Sequence, residues 1–327
     1  MLKSKKRIIT IAVAALIILL GAILFFRPMH KMDKAPQGGD VPEEGIPEVT
    51  LDTDISIGDI IGIDEERIGD TKDIINILLI GQDTRTEKDG MSDSMILCTI
   101  NKEKKTLVMT SVMRDLYVNI RRDDGTYTHN RINVTYFWGG MERLNEALED
   151  NFGVVVDYNI EVDFSAFQDI VDIIGGVDIE LTALEALKVR EAVGNDCTAH
   201  EGVNHLNGAE ALAYARIRKI DSDFHRTERQ RTVMMKVFEK CKSMSFSDAW
   251  DLVKTVVPMV TTDMSPMDIA VHAADILPLM SELTVSSQRI PADGTWSGGN
   301  VGTESEPMYV IIPDLEANRQ ILKDTLG

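Results

Sequence analysis

The sequence predicts an α/β protein: one folded body from about residue 73 to the C-terminus, its mixed sheet covered by helices, behind an N-terminal apolar segment. Three observations predict this. Ile8 to Phe26 is uncharged and almost wholly apolar; residues 27–72 are interrupted by Pro36, Gly38, Gly39, Pro42, Gly45 and Pro47; beyond them, short apolar runs alternate with helix-patterned stretches.

At about 1.5 Å per residue the first run reaches roughly 28 Å, close to the ~30 Å hydrocarbon core of a bilayer. Lys3, Lys5, Lys6 and Arg7 precede it, so the positive-inside rule puts residues 1–7 in the cytoplasm and everything after residue 26 outside. A cleaved signal peptide would carry a shorter apolar stretch and a small-residue cleavage site, whereas the exit here reads Phe25-Phe26-Arg27-Pro28-Met29. The expected organisation is a cytoplasmic tail (1–7), a membrane anchor (8–26), a stalk (27–72) and a folded domain (73–327). The stalk is acidic in its second half and cannot bury enough apolar area to offset its ordering entropy.

Within the domain, residues 74–80 form a nearly continuous apolar run stopped by Gly81, the pattern of a central strand buried on both faces. Residues 95–100 and 107–112, joined by the polar turn Asn101-Lys102-Glu103-Lys104-Lys105, read as a hairpin. Helices are expected around 140–151, 165–173, 208–216 and 224–243, with strands at 160–164 and 177–181 between them. Helices near 247–258 and 266–280, strands near 283–290 and 308–312, and a helix from Pro313 complete the series.

Composition narrows the function. A net charge of −19 repels a phosphate polymer, so nucleic acid is not expected as a partner. Cys98 sits in an apolar run and reads as a buried free thiol, while Cys197 and Cys241 could pair outside the cell. No Cys or His spacing resembles a zinc site.

Two clusters could carry chemistry. If the first two strands are antiparallel, Asp83, Arg85, Asp93, Arg114 and Asp115 collect at one end of the sheet, where active sites of open α/β sheets tend to lie. The second cluster is Arg216 to Arg231, with six cations in sixteen residues of an acidic chain. Ser222 or Asp223 can cap a helix there, and Arg226, Arg229 and Gln230 then share one face of its first turns. Arginine forks and a helix N-terminus both suit phosphate oxygens. Two aspartates can hold Mg²⁺ by hard oxygen ligands. Each element also has a plainer reading: Arg114-Asp115 as a loop ion pair, Asp83 or Asp93 as a turn residue, and the arginine-rich helix as a solvated face paired with Asp221, Asp223 and Glu228.

Taken in order, these segments resemble the LytR-CpsA-Psr family. The matches are Asn76 through Arg85, Ser92-Asp93-Ser94-Met95, Val112 through Val118, Arg131-Ile132-Asn133, Tyr136, Gly139-Gly140, Asp163-Phe164, Gly175-Gly176-Val177-Asp178, Leu206-Asn207-Gly208, Ala211-Leu212 and Arg216 through Gln230. Met113, Ser222 and Gln82 depart from the family's usual Pro, Gly and small residue.

The resemblance implies an α/β/α sandwich with a long apolar pocket for a polyprenyl tail. It implies Mg²⁺-assisted (or Mn²⁺-assisted) transfer of a phosphate-linked glycan, such as teichoic acid or capsule, from a polyprenyl-pyrophosphate carrier to peptidoglycan. By position, Asp83 and Asp93 would bind the metal. Arg85, Arg114, Arg218 and Arg226 would hold the pyrophosphate, with Arg216, Arg229 and Gln230 in support. Arg114, Asp115 and Asp223 are the catalytic candidates, the two acids as general base or as holders of other groups. Phe164, Phe167, Ile170, Val171, Ile173, Ile174, Ile276 and Leu279 are candidates either for the lipid pocket or for ordinary core. The rival functions are a non-enzymatic polyprenyl-lipid-binding or regulatory wall module, a pyrophosphatase using water, and transfer to a protein.

Overall fold

Short apolar runs become the central strands of this computed structural model, which describes residues 67–69, 71–82, 92–194, 197–218, 220–242, 244, 252, 255–276, 279, 282–303 and 306–327. The expected tail, membrane anchor and most of the stalk lie outside these residues, as does the loop with Asp83 and Arg85. Among the described residues, no helix is long and apolar enough to cross a membrane.

Backbone contacts group the described residues into two compact units where the sequence reading expects one. An inserted unit comprises Ile160–Thr284; a discontinuous unit joins the residues up to Asn159 with Val285–Gly327.

In chain order the elements begin with β1 (Ile74–Gln82), β2 (Ser92–Asn101), β3 (Thr106–Val112), β4 (Tyr117–Arg121), β5 (Tyr127–Arg131) and α1 (Asn133–Phe152). Next come β6 (Tyr158–Asp163), α2 (Phe164–Ile173), β7 (Val177–Leu181), α3 (Ala183–Val193), β8 (Gly202–Leu206), α4 (Gly208–Ala215) and α5 (Asp223–Lys242). The chain ends with β9 (Thr261–Thr262), α6 (Pro266–Ile276), β10 (Thr284–Ile290), β11 (Trp296–Thr303), β12 (Glu306–Pro313) and α7 (Leu315–Leu326).

In the discontinuous unit, four strands run in the order β10-β3-β2-β1. β1 and β2 are antiparallel, as are β2 and β3, so the condition placed on the strand directions is met. Leu78, Ile80, Met95, Leu97 and Met109 are fully buried, each worth about 1.5–3 kcal/mol of transfer from water. Asn76 lies among them with no exposure, because its polar atoms are all used. Its amide donates to the Val155 and Ile68 carbonyls (2.7 and 3.4 Å), and its side-chain oxygen accepts from Thr99 Oγ1 (2.7 Å). Ile68, expected in the stalk, is 4% exposed and bridges to Val154, so the folded body begins before residue 73.

Helix α1 starts earlier than the expected 140, and Gly139 and Gly140 break it with non-helical backbone (Gly140 φ 63°). After that kink Leu144, Ala147, Leu148, Asn151 and Phe152 are buried, the i, i+3, i+4, i+7 and i+8 stripe of an inward-facing helix. Gly153 closes it in the left-handed conformation.

In the inserted unit, β7 and β8 pair antiparallel, with α3 between them in the chain, and β6 pairs with β9. Around that pair, α2 to α5 bury Val171, Val189, Ala211, Val233 and Val237 in one core with Ile179 of β7. Their N-termini are capped by local sequence: Asp163 accepts from the Ala166 N–H, and Thr182/Glu185 and Asn207/Glu210 form capping boxes. Of the pocket candidates, Val171 and Ile174 are core, Ile276 is fully buried, Phe167 and Ile170 pack against the core, and Ile173 is 40% exposed. Cys98, Cys197 and Cys241 are all free and buried, so Cys197 and Cys241 do not pair.

Candidate functional site

In the discontinuous unit, Arg114, Asp115 and Arg131 come together just beyond the end of β3, at the sheet edge where β1 ends and β2 begins. Gly81 pairs with Ser94 and Gln82 with Ser92, leaving Asp93 as the extra residue of a β-bulge, a device that re-aims the chain at a sheet edge. The side chain of Asp93 lies outside the described residues, together with Asp83 and Arg85. The Ser92 hydroxyl beside it is buried with no hydrogen-bond partner among the described residues.

Beyond β3 the chain turns through Met113-Arg114-Asp115-Leu116, and backbone bonds fix this turn on every side. Met113 N–H donates to the Ile290 carbonyl (3.0 Å), Asn133 N–H to the Arg114 carbonyl (3.3 Å) and Ile311 N–H to the Asp115 carbonyl (2.8 Å). Met113 and Leu116 are fully buried beneath it. The Asp115 carboxylate then lies between two guanidiniums, Arg131 Nη1 at 3.1 Å and Arg114 Nε at 3.6 Å. Sequence reasoning missed Arg131 as a site residue although it stands in a matching motif. The β4–β5 hairpin, which pairs Tyr117 with Arg131, carries it back to Asp115.

The inserted unit holds the second cluster. Ser222 occupies the N-cap position of α5, its carbonyl accepting from Arg226 N–H (3.3 Å). The predicted spacing is correct, but the shared face points inward. Arg226 and Arg229 are 3% and 4% exposed and continue the stripe of Val233, Val237 and Cys241. Buried charges need partners. Asp223 grips Arg226 through both carboxylate oxygens (2.8 and 2.9 Å). Arg229 donates to Glu185 Oε1 (2.8 Å), to the Ile217 carbonyl (3.2 Å) and to Asp221.

Burial alone would raise the Glu185 carboxyl, but hydrogen bonds from Thr182 and Arg229 outweigh it and hold the acid below the usual carboxylate range. Between these anchors Arg218 is exposed, and Arg216 is exposed with its guanidinium over the Phe164 ring, 4.2 Å from the centroid. Gln230 is half-buried. Among the described residues no three His, Cys, Asp or Glu side chains are grouped to hold a metal.

An α/β protein with two arginine–aspartate clusters, one on a rigid turn after a central strand and one at a helix N-terminus, is the class these elements define. The chain belongs to the LytR_cpsA_psr family, whose model matches residues 48–310. It is 34% identical over 187 residues to the polyisoprenyl-teichoic acid–peptidoglycan teichoic acid transferase TagT of Bacillus subtilis (strain 168), covering 55% of this chain and 56% of that protein. It is 32% identical over 242 residues to TagU of Bacillus mycoides (strain KBAB4), which carries the same transferase description, covering 72% of this chain and 76% of that one. Among solved structures, "TagT bound to LIIa-WTA" superposes with a TM-score of 0.61 at 28% identity, covering 78% of this chain and 92% of that chain.

Proposed function

We propose that the chain is a phosphotransferase that moves an anionic glycopolymer of the teichoic acid kind from a polyprenyl-pyrophosphate carrier to peptidoglycan, at the outer face of the membrane that residues 8–26 anchor it to. Family membership, with relatives described as peptidoglycan teichoic acid transferases, carries this reading. The two clusters supply the chemistry such a reaction requires.

A hydroxyl of the acceptor glycan attacks the phosphorus nearer the polymer and gives its proton to a carboxylate base, for which Asp115 and Asp223 are the candidates; the new P–O bond forms, and the bond to polyprenyl phosphate breaks. Arg114 and Arg85 in the discontinuous unit, and Arg216 and Arg218 in the inserted unit, are the guanidiniums suited to neutralise phosphate oxygens and the charge that grows on the leaving oxygen. Asp115 orients Arg114 and Arg131; Asp223 orients Arg226. Asp83 and Asp93 would hold Mg²⁺, since carboxylates are the hard oxygen donors such a cation takes, and the unpartnered buried Ser92 hydroxyl adds a further oxygen next to Asp93 in the chain. When bound, such an ion would supply Lewis-acid stabilisation of phosphate charge.

The test uses the full chain in detergent with a short polyprenyl-pyrophosphoryl glycan, peptidoglycan fragments and Mg²⁺. Release of polyprenyl monophosphate with label on the fragments is expected. Release without labelling would favour a pyrophosphatase or a protein acceptor, and binding without release a lipid-binding module.

A further inference from the structure

Arg229 is buried at the centre of a three-way contact that leaves no donor nitrogen directed at solvent: Nε reaches Glu185, Nη1 the Ile217 carbonyl and Nη2 Asp221. Its two grips on the loop, at Ile217 and Asp221, lie on either side of Arg218. Ile217 is itself buried in the core, and Arg216 is braced on Phe164. The loop bearing both exposed arginines is therefore fastened from below by one guanidinium, and Glu185 fixes where that guanidinium sits.

Glu185 is held in turn. Its other oxygen accepts from the Thr182 N–H (3.0 Å) and hydroxyl (2.9 Å), while its own N–H donates to Thr182 Oγ1 (3.2 Å). One carboxylate thus closes the capping box of α3 and aims Arg229 of α5, forty-four residues later in the chain.

We propose that Glu185 is a positioning residue for donor binding, acting through Arg229 to hold Arg216 and Arg218 where they receive the phosphates. This rests on the transfer reading above, in which those two arginines contact the pyrophosphate. A loop that is only partly in its binding-competent arrangement lowers apparent affinity by the competent fraction and leaves the chemical step of bound donor alone. The signature is a change in donor KM without a matching change in kcat.

Three variants of the full chain separate the roles. Glu185→Gln keeps the capping box, since glutamine serves there as well as glutamate, but removes the charge that Arg229 needs. Glu185→Asp keeps a carboxylate in the first turn of α3 and is one methylene too short to reach Arg229. Arg218→Ala removes a phosphate-binding group outright.

We expect Glu185→Gln and Glu185→Asp each to raise donor KM about tenfold, the loss of a charge-assisted hydrogen bond, with kcat within about twofold of wild type. Amide hydrogen exchange at Ile217 and Asp221 should quicken in both, while α3 itself stays protected. Arg218→Ala should abolish turnover. Unchanged donor KM and unchanged exchange in Glu185→Gln, beside an inactive Arg218→Ala, would overturn the positioning role alone. Full turnover in Arg218→Ala would overturn the donor-binding reading and this inference with it.

Discussion

Asn76 stands in a segment that matches the family pattern, yet its environment marks it as a structural residue, and Asn76→Ala should separate stability from chemistry. Asn76 lies six positions from Gln82, about 20 Å along β1 from the edge that carries Asp93. Truncation strands two groups. The Val155 carbonyl loses the donor at 2.7 Å and the Thr99 hydroxyl loses its acceptor at 2.7 Å, whereas the Ile68 carbonyl keeps Val155 N–H at 3.0 Å. Asn76 and Thr99 are at most 1% exposed, so water does not readily substitute. At about 1–3 kcal/mol per stranded group, the expected loss is roughly 2–6 kcal/mol, a large share of a typical 5–15 kcal/mol. Urea unfolding of the full chain in detergent should show a lower midpoint with an unchanged slope, while donor KM stays at the wild-type value. Adding Thr99→Val removes one of the stranded groups and should recover about 1 kcal/mol. A loss under about 1 kcal/mol in the single variant, or no recovery in the double variant, would refute the reasoning.

Arg226→Ala should lose activity and also about 3 kcal/mol of stability, because it leaves the half-buried Asp223 carboxylate without its partner; a wild-type urea midpoint would contradict this. Asp83→Ala should abolish transfer and its Mg²⁺ dependence together, and a variant that stays active and still responds to Mg²⁺ would exclude Asp83 as a ligand. Burial pushes the Cys98 and Cys241 thiols up to about 12, so iodoacetamide at neutral pH should leave both unmodified until the protein is unfolded. Glu185 is held below its ordinary range, so its contribution is full above about pH 4.3 and is lost as pH falls through the folded value. The urea-midpoint gap between wild type and Glu185→Gln should therefore be present at neutral pH and shrink in acid.

The central strands were legible because continuous apolar runs bounded by Gly81 and a polar turn leave few alternatives to a strand buried on both faces. The β4–β5 hairpin was not, because β4 offers only Val118 and Ile120 as an apolar face and β5, Tyr127-Thr128-His129-Asn130-Arg131, is polar apart from Tyr127. Helix α3 also escaped notice, since Leu184 and Leu187 are exposed and its apolar stripe is weak; the capping box at Thr182 and Glu185 was the signal available. At the site, spacing correctly put Arg226 and Arg229 on one face of α5 but could not tell which face. The answer depends on Glu185 and on the Ile217 carbonyl, and a contact spanning forty-four residues has no local signature.

The turn bearing Arg114 and Asp115 is framed by the far end of the chain. Met113 rests on the Ile290 carbonyl and Asp115 on the Ile311 N–H; elsewhere in the same unit Gln288 reaches Thr110 across 178 residues, and Asn101 reaches the Leu326 carbonyl. Contacts so distant in sequence form late, after the loop-closure entropy of the intervening chain has been overcome. During synthesis the first three strands emerge long before the residues that brace their ends. A chain released early, anywhere before residue 290, would therefore lack both the Ile290 and the Ile311 supports of that turn, and would be a different object from a weakened version of the whole.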